Sequence, residues 1–127
     1  MSVREPVHTP EAPAAIGPYS QAILYGDVVY CSGQIPLDTA GELFSGTLGE
    51  ETTRCLENLE AICQAAGTTL ARALRLTVYT TQLEAFAEIN EAYAVFFPDD
   101  PPARAAVGVA ALPKGARVEV DAIVAVE

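Results

Sequence analysis

The sequence has one histidine, no tryptophan, one methionine and only seven lysines and arginines against seventeen aspartates and glutamates. Each shortage removes a class of function. A lone His8 cannot assemble a histidine-based zinc site or a Ser/His/Asp triad. The formal charge of −10 repels phosphate backbones, and the basic residues are scattered from Arg4 to Arg117, so no nucleic-acid partner is expected. No window approaches 18 uninterrupted apolar residues, and Met1-Ser-Val-Arg-Glu-Pro6 lacks the apolar stretch of a secretory leader. The expectation is a cytoplasmic protein with no membrane partner. Cys31, Cys55 and Cys63 form no Cys-x-x-Cys pair and lie within apolar patterns, which reads as buried reduced thiols and not as a metal or redox site. Neither a phosphate loop nor a dinucleotide fingerprint is present, so no nucleotide cofactor is implied.

What is present is apolar. At 50% hydrophobic and 19% charged, the 127 residues are too rich in core-forming side chains for a disordered acidic tail. No repeat or linker divides them, so residues 1–127 read as a single domain. Ser20–Tyr25 and Val28–Gln34 flank Gly26-Asp27 and read as a β-hairpin. Thr47-Leu-Gly-Glu50 is a capping box, Leu56, Leu59, Ile62, Cys63 and Ala66 share one helical face, and Gly67 supplies the stop. Ala73–Thr81 alternates as a strand, with Leu74, Leu76 and Val78 on one side. Thr81-Gln-Leu-Glu84 is a second capping pattern, opening a helix whose Phe86, Ile89, Tyr93, Phe96 and Phe97 read as core and which Pro98 ends.

Two strands close the chain, Ala103–Leu112 and Arg117–Val126, around Pro113-Lys-Gly-Ala116. In the last one Val118, Val120, Ala122, Val124 and Val126 point one way and Glu119, Asp121 and Ile123 the other. The valine side should meet the helices. Val107 and Val109 are expected on that same side, leaving Arg104, Ala106, Gly108 and Ala110 with Glu119 and Asp121 on the opposite face. The order β-β-α-β-α-β-β predicts an α+β fold, one mixed sheet with two helices packed on one face. The other face has no helix to cover it, so a homo-oligomer that buries it is expected, with charged residues near the clefts between subunits.

Arg104 follows Pro101-Pro-Ala103, and its planar fork suits a carboxylate, either of a small acidic substrate or of a structural partner such as Glu119 or Asp121. Glu119 and Asp121, two apart on one strand, could hold or deprotonate a water. Tyr19, Ser32 and Asn90 offer hydrogen bonds, and Ser32-Gly33-Gln34 backbone donors, although each also has an ordinary structural role open to it.

Several segments resemble, in order, the Rid/YjgF family of enamine/imine deaminases: Ala14-Ala-Ile-Gly-Pro-Tyr-Ser-Gln21, Cys31-Ser-Gly-Gln-Ile-Pro36, Asn58-Leu-Glu-Ala-Ile62, Asn90-Glu-Ala-Tyr93, Pro102-Ala-Arg104 and Val118-Glu-Val120. The resemblance spans nearly the whole chain as one RidA-like domain. It implies a chorismate-mutase-like fold assembled as a homotrimer with active sites between subunits. It further implies hydrolysis of small 2-enamino or 2-imino acids to 2-keto acids and ammonia, with no metal and no organic cofactor. Carried over by position, Arg104 would bind the substrate carboxylate and Glu119 would orient the attacking water. Tyr19, Ser32, Gly33, Asn90 and Ala106 would line the substrate pocket. The family pattern continues Pro-Ala-Arg with Ser-Cys-Val-Glu, whereas this chain reads Ala105-Ala-Val-Gly108, which changes the pocket's polarity. Two other functions are weighed against deamination: a non-catalytic trimer that binds small carboxylates or regulates through them, and an endoribonuclease or translation inhibitor.

Overall fold

A computed structural model describes residues 3–127. Met1 and Ser2, at the start of the segment read as lacking a leader, lie outside the described residues. The elements are β1 (Glu5–Val7), β2 (Ala22–Tyr25), β3 (Val28–Gln34), α1 (Leu48–Ala65), β4 (Ala73–Thr80), α2 (Phe86–Phe96), β5 (Ala103–Gly108) and β6 (Val118–Ala125). The six strands form one sheet in the order β1-β2-β3-β6-β4-β5. Every neighbouring pair is antiparallel except β4 and β5, which run parallel. A parallel pair needs a crossover, and α2 is that crossover. The expected α+β order is therefore present, with β1 added at the edge. Three residues carry too little periodicity to announce a strand, and β1 exists because its backbone pairs with Ala22–Leu24.

Helix α1 begins where the capping box placed it. The Thr47 side chain accepts from the Glu50 amide at 3.1 Å, and the Glu50 carboxylate accepts from the Thr47 amide at 2.8 Å. Gly67, at φ +87°, takes the left-handed conformation that ends the helix. Leu56, Leu59 and Ile62 are fully buried with Val118, Val120 and Val124 in one core, so the valine face of β6 meets α1 as its alternation requires. Burying each such side chain is worth about 1.5–3 kcal/mol. The three cysteines are buried in this core, and burial pushes the Cys55 thiol up. Arg117 ties α1 to the end of the sheet by donating from Nε and Nη2 to the Glu51 carboxylate at 3.1 and 2.9 Å.

Three expectations are corrected. The second capping pattern does not cap: the side chain accepting from the Gln82 amide, at 2.9 Å, belongs to Thr80, and the chain enters α2 through a short turn, Leu83–Ala85, with no side-chain cap. Leu74 is half exposed instead of lying beside Leu76, because the register with β6 shifts between Ala73 and Arg75. The third bears on function. Leu76, Val78 and Thr80, all buried under the helices, pair with Arg104, Ala106 and Gly108, whereas Thr77 and Tyr79 pair with Ala105 and Val107 on one side and with Asp121 and Glu119 on the other. Arg104 thus stands on the helix side of the sheet and Glu119 on the open side. The alanine- and glycine-rich β5 has no apolar alternation to specify its register, so pairing with β4 sets its faces, opposite to those expected. No element among the described residues covers the open face, as expected, but it carries Tyr25, Tyr30, Val107 and Ile123 beside Glu119 and Asp121 instead of the Ala106 and Gly108 expected there.

Candidate active site

Two cavities divide the candidate residues between them. The first, about 480 Å³, is lined by Asn90, Tyr93, Ala94, Phe97, Pro101, Pro102 and Arg104. Phe86, Asn90 and Tyr93 recur along one side of α2 and together hold the Arg104 guanidinium. Arg104 Nη1 donates to Asn90 Oδ1 at 2.8 Å, and the guanidinium carbon lies 4.8 Å from the Tyr93 ring centre and 5.2 Å from that of Phe86. One hydrogen bond and two aromatic contacts restrict the fork while leaving other N–H groups to receive an anion. Asn90 accordingly orients Arg104 first and lines the cavity second. The aromatics, read from sequence as core alone, serve both: Tyr93 and Phe97 are buried, and Tyr93 also faces the guanidinium. Burial pushes the Tyr93 hydroxyl upward, opposed by the charge of Arg104. An asparagine inside an otherwise aromatic helical stripe was the signal available for this arrangement.

The second cavity, about 310 Å³, is lined by Ile16, Tyr19, Ser32, Gly33, Pro113 and Glu119. Tyr19 is held by the loop that carries it, its hydroxyl accepting from the Ile16 amide at 3.2 Å. The Ser32 hydroxyl donates to the Ser20 carbonyl at 2.6 Å, which fixes the start of the Ser32-Gly33 step where β3 departs from regular pairing with β6. Gly33 makes room for the carboxylate: a Cβ there would lie 2.9 Å from Glu119 Cδ and closer still to one carboxylate oxygen. Glu119 is half-buried, and its carboxyl is held above the ordinary carboxylate value, first by burial and second by the charge of Asp121. Asp121 accepts a hydrogen bond from the Tyr79 hydroxyl at 3.2 Å, a contact the sequence did not suggest.

Arg104 and Asn90 thus line one cavity, and Tyr19, Ser32, Gly33 and Glu119 the other, on opposite sides of the sheet. Ala106 stands on the Arg104 side of β5 and lines neither. One half offers a restrained cation, the other a proton-accepting carboxylate with raised proton affinity. The single chain does not bring them together.

Comparison with known proteins gives this divided site a setting. The chain is 50% identical over 121 residues to the RutC family protein y4sK of Sinorhizobium fredii, covering 94% of this chain and 96% of that one. It is 43% identical over 122 residues to the human 2-iminobutanoate/2-iminopropanoate deaminase, covering 95% and 89%. Among solved structures, RidA from an Antarctic Psychrobacter superposes with a TM-score of 0.91 at 43% identity, covering 95% of this chain and 98% of that one. E. coli TdcF, solved with bound serine, superposes with a TM-score of 0.90 at 38% identity and the same coverage. The sequence profile of the family described as Endoribonuclease L-PSP matches residues 9–126. A shared frame over nearly the full length and a profile that spans the residues lining both cavities establish that this chain belongs to the Rid/YjgF family.

Proposed function

We propose that this chain hydrolyses 2-imino acids, and their 2-enamino tautomers, to 2-keto acids and ammonia, in sites formed between the subunits of a homotrimer. The observation carrying the proposal is the separation of Arg104 from Glu119 onto opposite sides of one sheet. A second copy packed on the open face supplies the missing half of each site. That contact would also cover Tyr25, Tyr30 and Ile123, which answers the exposure of the open face.

In this reading the substrate carboxylate docks on Arg104, whose fork Asn90, Phe86 and Tyr93 hold in place. An enamine first takes a proton at its β-carbon to become the iminium. The iminium carbon is already electrophilic, so water adds to it without a covalent enzyme intermediate. Glu119 of the neighbouring copy accepts a proton from that water as the C–O bond forms, and its raised proton affinity suits the role. The proton then passes to the amino nitrogen, the C–N bond breaks, and the carbinol oxygen loses its proton to give the 2-keto acid and ammonium. No step calls for a metal or an organic cofactor.

A second reading, a trimer that binds small carboxylates without turning them over, draws support from Ala106, where a methyl replaces a polarizable thiol of the family pattern. Endoribonuclease chemistry is less well supported, since Arg104 is the one cation lining either cavity. The deciding experiment generates imines in situ with an amino-acid oxidase and traps them with semicarbazide. Deamination lowers semicarbazone formation, and Arg104→Ala abolishes the effect while the trimer persists in light scattering. Equal trapping with wild type, Arg104→Ala and no protein refutes the enzyme reading, and saturable binding of a 2-keto acid under those conditions selects the binding protein.

A further inference from the structure

The Arg104 cavity is large for a four-carbon acid. Volumes of about 300–1,000 Å³ hold drug-sized ligands, and this cleft, open on one side to solvent, has about 480 Å³. Its walls are hydrocarbon: the Tyr93 and Phe97 rings, tilted at 44° with centres 4.8 Å apart, the methyl of Ala94, and the rings of Pro101 and Pro102. The polar side-chain groups on its lining are few. Asn90 Oδ1 accepts from Arg104, the Tyr93 hydroxyl has no hydrogen-bond partner among the described residues, and the guanidinium is the one charged group on the lining. The strand that bears Arg104 adds no bulk beyond it, because the next residues on the same side are Ala106 and Gly108.

One fixed cation beside an apolar chamber fits a ligand with one carboxylate and a substantial hydrocarbon body. We infer that the site selects 2-imino acids with bulky apolar side chains, branched or aromatic, over the imine of alanine. The inference rests on the deaminase reading for its chemistry, and on the cavity alone for its choice of side chain. With the carboxylate on Arg104, the side chain enters the chamber while the imine carbon remains open to the neighbouring subunit. Hydrocarbon burial away from the reacting carbon then contributes to transition-state binding. Each additional methylene in such a pocket is worth about 10–200-fold in discrimination, so a benzyl or isobutyl group should be preferred to methyl by at least about tenfold.

The test measures catalytic efficiency against imines generated from alanine, leucine and phenylalanine by the same oxidase, together with calorimetric binding of pyruvate and phenylpyruvate to the wild-type protein. Expected are at least tenfold higher efficiency for the leucine and phenylalanine imines and at least tenfold tighter binding of phenylpyruvate. Ala94 is exposed at the cavity wall, and Ala94→Trp would fill the chamber from the solvent side. The variant should cut the phenylalanine-to-alanine efficiency ratio at least tenfold, a ratio that a general loss of folded protein leaves unchanged. Turnover of the alanine imine at equal or greater efficiency overturns the inference and leaves deamination standing. Absence of turnover with every imine, accompanied by tighter phenylpyruvate binding, overturns deamination and sustains the assignment of the chamber. Equal binding of the two keto acids overturns that assignment.

Discussion

Placing a methyl group at position 33 gives a direct test of whether the Glu119 carboxylate does the work assigned to it. A Cβ on Gly33 would sit 2.9 Å from Glu119 Cδ and 3.2 Å from Cγ, so Gly33→Ala forces the side chain aside. Gly33 has no positive φ to complicate the substitution, so the change is steric. The obstructing atoms belong to the end of a flexible, half-buried side chain that can swing toward solvent. Stability should therefore fall by no more than the roughly 1–3 kcal/mol typical of overpacking. Catalysis is less forgiving, since misplacing a reacting group by about 1 Å costs on the order of 100-fold. Gly33→Ala should thus lower imine hydrolysis about 100-fold in the semicarbazide assay while thermal unfolding shows a folded protein. In a Glu119→Ala background the added methyl meets no carboxylate, and it should produce little further loss, a non-additivity expected of groups that act as one. Activity of Gly33→Ala within twofold of wild type would refute the placement of Glu119 as the proton acceptor. So would a full additional 100-fold loss in the double variant.

Other expectations concern the two halves separately. Asn90→Ala removes the acceptor of an exposed charge-assisted hydrogen bond, so unfolding stability in urea titration should fall by no more than about 1.5–3 kcal/mol, while KM for the imine rises as the Arg104 fork loses its restraint. Glu119 carries a raised pKa, so its burial stabilises the protonated form, and that contribution is present below the ordinary value of 4.5 and lost as pH rises through the folded value. Glu119→Gln should therefore gain in Tm over wild type at pH 7 and lose that advantage below the carboxylate range, which calorimetry across pH would detect. The Tyr93 hydroxyl is buried without a hydrogen-bond partner among the described residues, so Tyr93→Phe should raise unfolding stability by about 1 kcal/mol in urea titration.

Much of the frame was legible because its signals are local. The capping box at Thr47, the stop at Gly67, and the valine alternation of Val118–Val124 each express a rule spanning a few residues, and each holds in the structure. The placement of Glu119 on the polar side of the last strand was legible too, since it follows from the same alternation. The grip on Arg104 was not, since Phe86 and Tyr93 have the spacing of ordinary core residues, and only the parallel placement of β5 beside β4 brings the guanidinium to them.

Sequence by itself determined both helices and every strand but β1, where α1 begins, and which face of β6 is buried, because capping, glycine geometry and period-two alternation are properties of neighbouring residues. Tertiary structure alone decided that β6 lies between β3 and β4, that β5 is the outer strand, and that Arg104 points toward the helices while Glu119 points away. Strand order and register depend on contacts between distant segments. In β5, where alanine and glycine lie next to the one arginine, the side chains are too small to state which face they prefer, so backbone pairing with β4 sets it. That pairing puts Arg104 and Glu119 on opposite sides of one sheet, where the sequence alone had placed them on one face.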